Sequence, residues 1–374
     1  MNRVCHITSG YLRDDSRIFI RQCGSLNKAG YQVVILTNDR LPDDIVNGIR
    51  IVSHCSVSNS RIKDIFFAKR YFLSKALEIN ADIYQLHGPE LIPLGIALKK
   101  KGKFVFYDAH EDLPRDILEK DAIPKFLRPI ISRLAEMYLK INLRKFDQIF
   151  SVTPHIVFNL EKHTKNISLI TNFPLIEQNI NFTEHDFINR DNVICYAGTV
   201  YKYSNQELII NAVNKINFAS YRVAGYVSES HKKQLLNLDF SNKTIFLGKL
   251  NKLQLLDLFK SSIGGIVVYD YMRNLGYKTG SFGTNKIFEY MQAGLPIICT
   301  DFDLWKEIVE KHNCGICVQP NNQEQLENAI NFLINNKEKA FEMGQNGKAA
   351  VLSEYNWYSQ ERLYLEIFQK YSNN

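Results

Sequence analysis

Lys286 and Glu289 stand three residues apart in the stretch SFGTNKIFEYMQAGLPIICTD, Ser281 to Asp301. The spacing predicts a short helix from about Asn285 to Ala293, which puts both side chains on one face. Thr284 or Asn285 is placed to cap its start, Gly294 suits the residue after its end, and Pro296 forbids continuation. The apolar run IICT then reads as a buried strand. A Lys and a Glu on one helical face either pair at the surface, for a few tenths of a kcal/mol, or border a ligand.

Other residues able to do chemistry also follow apolar runs. Gly10 lies in TSGYLRDDSR after RVCHI, where a glycine lets backbone approach a ligand closely. His87, followed by GPE, comes after ADIYQL. His110 and Glu111 come after KFVFYDA. A histidine at such a position can hold or exchange a proton near neutral pH, or serve structure alone. Gly198 and Lys202 follow NVICYA, a pairing of backbone N–H groups and an ammonium that suits a diphosphate. Neither glycine loop has the G-x-G-x-x-G spacing of a dinucleotide site or the G-x-x-x-x-G-K-[ST] of a Walker loop. Asp301 and Asp303 have no third oxygen ligand nearby, so no metal site is expected.

The elements that must position these residues alternate. Strands at RVCHIT, YQVVILT, GIRIVSH, ADIYQLH, KFVFYDA and DQIFSVT are separated by helical patterns, among them SRIFIRQCGSLNKAG, a long helix in 61–80 and another within PKFLRPIISRLAEMYLKINLRKF. The second half repeats the scheme with NVICYAG, SYRVAGYV, KTIFLGKL, IGGIVVYDY, LPIICT and GICVQP. Alternation of this kind indicates parallel sheets with crossover helices. The expected fold class is α/β, with two doubly wound Rossmann-like domains facing across a cleft. The expected boundaries are 1–172 for an N-terminal α/β domain, 173–191 for a polar connection, 192–356 for a C-terminal α/β domain, and 357–374 for a helix crossing back to the first. Such domains bind at the carboxyl ends of their strands.

The totals agree with two globular domains. The chain has 374 residues, 45% hydrophobic and 23% charged, too long for one ordinary core. No run of about 18 apolar residues predicts a membrane span, and the N-terminus turns polar too early for a signal peptide. Seven scattered cysteines fit free thiols in a reducing, cytoplasmic compartment. The formal net charge of +7 is uneven: residues 1–175 hold 26 Lys and Arg against 18 Asp and Glu, whereas the rest is near balance. An anionic partner near the first half follows.

Taken together, these stretches resemble retaining GT-B glycosyltransferases of the large group that contains family four, of the bacterial surface-polysaccharide type. NKIFEYMQAGLPIICTD is similar to their nucleotide-sugar site. DDSRIFIRQCGSLNKAGYQVVILT, ADIYQLHGPELIPLGIALKKKGKFVFYDAHEDLP, CGICVQPNNQEQLENAI and MGQNGKAAVLSEYNW follow in the family's order. The resemblance implies that Glu289 accepts from the donor's ribose hydroxyls, since an ionised carboxylate only accepts and a diol offers two donors. Asn285 and Lys286 lie beside it, and Leu295 flanks the nucleotide. Gly10, Gly198 and Lys202 meet the diphosphate. His110 sits near the transferred sugar and, with Glu289, is the expected catalytic pair. Asp15, Arg17, His87 and Glu111 are acceptor-side candidates. The chain departs from the family at Ser281, where a first Glu is usual, and in the thin basic loop around Lys202.

The implied reaction is metal-independent transfer of a hexosyl group with retention, needing no cofactor beyond a nucleotide-diphosphate donor. The implied acceptor is a glycan or a lipid-diphosphate-linked glycan in polysaccharide, capsule or lipopolysaccharide synthesis. Arg61, Lys63, Lys69, Arg70 and Lys75 share a helical pattern with Ile62, Ile65, Phe66, Phe67, Tyr71 and Phe72, which reads as an interfacial helix or as one packed on the sheet. The KKKGK turn and Arg128, Arg133, Lys140, Arg144 and Lys145 add to the basic surface. Peripheral attachment to the inner face of the plasma membrane is therefore expected, and nucleic acid is not. A non-hydrolysing nucleotide-sugar epimerase and a catalytically silent scaffold of the same fold are the alternatives.

Overall fold

The computed structural model describes residues 2–53, 71–120, 122–176, 181–240 and 242–372. The chain divides into two units, Met1–Asn172 with Trp357–Asn374, and Phe173–Asn356.

In the first unit the strands are β1 (Arg3–Thr8), β2 (Gln32–Thr37), β3 (Asp44–Val46), β4 (Ile49–Ser53), β5 (Ile83–His87), β6 (Phe104–Ala109), β7 (Gln148–Ser151) and β8 (Ile167–Leu169). They form one sheet in the order β3-β4-β2-β1-β5-β6-β7-β8. Every pairing is parallel except β3 with β4, an antiparallel edge hairpin that the sequence reading did not include. The order reverses direction between β1 and β5, so the carboxyl ends of those strands open onto the switch point. Central strands are buried on both faces, which is why they read as unbroken apolar runs.

In the second unit the strands are β9 (Val193–Ala197), β10 (Ser220–Ala224), β11 (Thr244–Gly248), β12 (Gly264–Val267), β13 (Ile297–Thr300) and β14 (Gly315–Val318). They pair in parallel in the order β11-β10-β9-β12-β13-β14. This is the dinucleotide-fold order 3-2-1-4-5-6, with its switch point between β9 and β12.

The helices differ in detail from expectation. Ser16–Cys23 winds as a π-helix before an α-helical end at Gly24–Lys28, and the wide turn shows in the bond from Ile20 N to Asp15 O at 3.4 Å. Between β6 and β7 a short helix, Leu113–Glu119, precedes the longer Arg128–Asn142. The helix expected within 61–80 is described only over 71–79. There Phe72, Ala76 and Ile79 join the core and Lys75 pairs with Glu78 at 2.7 Å; Arg61, Lys63, Lys69 and Arg70 lie outside the described residues. The final helix, Trp357–Ser372, belongs to the first unit. Trp357 donates through Nε1 to Ser25 Oγ at 2.9 Å, Tyr364 donates to Gln85 Oε1 at 2.8 Å, and the Phe368 ring packs on Phe106 at 4.9 Å.

Candidate functional site

In the second unit, helix Lys286–Gln292 is pinned at the switch point by Tyr290. The Tyr290 hydroxyl accepts from Ala197 N at 2.8 Å, at the end of β9. Its ring covers Gly265 on β12, where an added Cβ would lie inside the ring. The helix therefore presents Lys286 beside the end of β9, with half-buried Glu289 one turn on. Lys286 lies across Gly198, which adopts φ 142° and leaves no room for a Cβ beneath the lysine's Cε. Its Nζ stands 5.4 Å from the Tyr196 ring centre and 5.7 Å from that of Tyr269. An ammonium is attracted to aromatic faces weakly enough to leave them for a stronger anionic partner.

Asn285 occupies the position before the helix, yet its side chain makes no capping hydrogen bond, and its Oδ1 is buried with no partner among the described residues. Lys202 is exposed in the turn Lys202–Ser204 after β9. Leu295 corrects the expectation: the whole residue is buried in the core of this unit, and its N–H donates to Tyr290 O at 2.9 Å. Ser281 is also buried, its carbonyl accepting from Trp305 Nε1 at 2.8 Å and its hydroxyl from Gly283 N at 3.0 Å.

The first unit carries a buried network that the sequence reading only touched. Asp108, fully buried on β6, receives Arg17 through Nε at 3.0 Å and Nη2 at 2.8 Å. Gln22 Nε2 donates to it at 2.7 Å and His110 Nε2 stands 3.1 Å away. His87 lies beside Asp108 in register, with Nδ1 3.4 Å from the carboxylate. His87 Nε2 meets His6 Nδ1 at 2.9 Å. A carboxylate only accepts, so the facing nitrogens donate. That assigns the proton of His110 to Nε2 and leaves its Nδ1 lone pair free to accept from a substrate hydroxyl. His87 Nδ1 also stands 3.3 Å from His110 Nε2, so these two nitrogens share the carboxylate, while buried His6 Nε2 has no partner among the described residues. Burial pushes the Asp108 carboxyl up, but Arg17 first and His110 next outweigh it and hold it well below the usual range. Burial also lowers His87, to about 4, against the opposing pull of Asp108.

Arg17 is thus an internal part, and half-buried Asp15 is committed to a helix cap. Arg17 is spent on Asp108 and on Ile170 O at 2.8 Å, and Asp15 caps the π-helix by accepting from Arg17 N and Ile18 N. His87 is buried and can reach a substrate only through His110. Glu111 is exposed, and Gly10 has open space around it. Tyr11, just after Gly10, places its ring 4.6 Å from that of His110. His87, Asp108 and His110 bring three ligand-type atoms within 4.8 Å of one another. Both Asp108 oxygens are already occupied by Arg17, and Oδ2 by Gln22 as well, so a hydrogen-bond network accounts for the group. Asp108, His6, Gln22 and Gln85 were missed. Their signal was polarity at interior positions of strands and of a helix that are otherwise apolar.

With this geometry in view, residues 177–350 match the model of glycosyl transferases group 1. A search of curated protein sequences found no match. Among solved structures, sucrose-phosphate synthase from Thermosynechococcus elongatus is similar over 99% of both chains, with TM-score 0.77 and 15% identity. Anabaena HepE in complex with UDP and glucose aligns over 99% of this chain and 100% of its own, with TM-score 0.72 and 12% identity. WaaG, a glycosyltransferase involved in lipopolysaccharide biosynthesis, aligns over 96% and 98%, with TM-score 0.71 and 12% identity. Two parallel-sheet α/β units with these relatives are the GT-B fold. The chain thus has the GT-B fold, and most of its second unit, residues 177–350, is similar to the glycosyl transferases group 1 family.

Proposed function

We propose that this protein transfers a hexosyl group, with retention, from a uridine-diphosphate-type sugar donor to a glycan or lipid-diphosphate-linked acceptor in surface polysaccharide synthesis. The observation that carries this reading is Lys286 and Glu289 on one helix beside the Gly198 turn, at the switch point of a unit that matches the family model. HepE, similar in fold, has been solved with UDP and with UDP-glucose.

On this reading Glu289 accepts from the ribose hydroxyls. Lys286 leaves its aromatic seat and, with Lys202 and the Gly198 backbone, meets the diphosphate. The transition state is oxocarbenium-like, and charge grows on the departing diphosphate, where fixed cations stabilise it more than they stabilise the ground state. His110 offers Nδ1 to a sugar or acceptor hydroxyl, oriented by Asp108, and acts as a positioning group while the acceptor attacks on the leaving-group face. Gly10 and Glu111 lie at the ends of β1 and β6, where the acceptor-side loops begin.

A thermal-shift panel of nucleotide sugars tests the donor. A ligand that binds only the folded state raises the melting temperature with its concentration over Kd, so one donor should stand out. Glu289→Ala should weaken that donor about tenfold, as expected when a charged hydrogen bond worth about 1.5–3 kcal/mol is lost. No shift with any nucleotide sugar, or an unchanged affinity in Glu289→Ala, overturns the assignment.

A further inference from the structure

Helix Arg128–Asn142 turns an apolar stripe outward. Only Leu139 and Asn142 of the helix are buried. Phe126, just before it, and Ile130, Leu134, Met137 and Ile141 are between 54% and 76% exposed. Their spacing of four, four, three and four residues keeps them on one side of the helix. Isolated exposed apolar side chains are ordinary, but a contiguous row marks a contact surface. The row continues into a shallow groove walled by Ile130, Leu134, Met137 and His163.

Cations flank the stripe. Lys125, Arg133, Lys140 and Arg144 are exposed, and Lys125, Arg133 and Lys140 form no ion pair with any described residue. The helix has one carboxylate, Glu136, whose oxygen lies 3.8 Å from Arg115. An apolar ridge bordered by unpaired cations is complementary to a surface that is anionic outside and hydrocarbon within. A second copy of the chain would set these cations against each other. The helix also lies on the β6–β7 crossover, which begins at His110 and Glu111. A narrow cavity lined by Glu111, Asp112, Pro114 and Leu139 connects the end of β6 to the base of the helix.

We infer that the 126–144 face docks on an anionic lipid bilayer, with Phe126, Ile130, Leu134, Met137 and Ile141 entering the headgroup–acyl boundary and Lys125, Arg133, Lys140 and Arg144 meeting lipid phosphates. This deepens the proposed function by bringing the acceptor-side unit to a lipid-linked substrate, and rests on that reading only for the identity of the substrate. Arg133, Lys140 and Arg144 belong to the basic surface expected from sequence, whose other helix lies largely outside the described residues.

Co-sedimentation of the full chain with sucrose-loaded vesicles tests it. Vesicles with equal parts phosphatidylglycerol and phosphatidylcholine should retain the protein at low salt, with weaker retention at 0.5 M salt and none on phosphatidylcholine alone. Leu134→Glu and, separately, Arg133→Glu with Lys140→Glu should each lower partitioning at least tenfold. Because these side chains are exposed, melting temperatures and the donor-induced thermal shift should stay at wild-type values. Wild-type protein left in the supernatant at low salt, or variants that bind as wild type, overturns the inference. So does a concentration-dependent dimer abolished by Leu134→Glu, which would give the face to a second copy. Vesicle binding without any donor shift would instead sink the glycosyl-transfer reading and leave the surface standing.

Discussion

At the scale of single residues, Asp108 is the charge that organises the first unit's interior. It is buried, receives a two-pronged guanidinium, and fixes which nitrogen of His110 faces outward. Two consequences can be measured. His110→Ala should lower kcat about a hundredfold at saturating donor, the lower end of what a positioned acid–base group contributes, with little change in donor affinity; unchanged turnover would mean that His110 has no part in the reaction. The second concerns pH. His87 has its proton affinity lowered from the ordinary 6.5 to about 4 by burial, so its neutral form is favoured by folding. That contribution is complete above pH 6.5 and is lost as pH falls from there toward 4, on the order of 3 kcal/mol. Urea midpoints should fall across that window, and His87→Asn should flatten the slope. A wild-type midpoint constant from pH 7 to 4.5 would refute the buried neutral histidine.

At the scale of elements, the sequence was most readable where one strand or helix carried its own punctuation. The parallel strands other than β8 stood out as short apolar runs, and the 286–292 helix was bracketed by a polar start, Gly294 and Pro296. What sequence could not show was assembly across strands. His6 is in register with Gln85, and His87 with Asp108, because β1, β5 and β6 are adjacent in the sheet; no local spacing links residues that far apart in sequence. His110 was noticed because it follows a strand, and Glu289 because it shares a helical face with Lys286, whereas Asp108 and Gln22 sit inside elements and look like core positions. Leu295 was misplaced for the same reason in reverse. It follows a turn, where ligand contacts are common, but its side chain turns into the core. The π-helical winding of Ser16–Cys23 was equally hidden, since a widened turn carries the same apolar spacing as an ordinary helix over two turns. The winding holds Arg17 and Gln22 on Asp108 together, although they are five residues apart.

At the scale of the whole molecule, the last helix is a structural part of the first unit. Trp357, Tyr364 and Phe368 are each no more than 1% exposed, and removing large buried aromatics costs about 3–5 kcal/mol apiece. Together that is comparable with the whole stability of a typical domain, about 5–15 kcal/mol. A chain ending at Asn356 should therefore lose the thermal transition of the first unit and keep that of the second, read by calorimetry and by protection of a fragment near 173–356 from protease. Survival of both transitions would show that the helix is dispensable.

The polypeptide leaves the first unit after Asn172 and re-enters it at Trp357, so the second unit is an insertion held at both of its ends. A single nick at either crossing leaves the pieces joined by the other, and separating them takes two cuts. A gene fragment for 173–356 encodes one uninterrupted core, whereas the other body can be made continuous only by splicing residue 172 to 357.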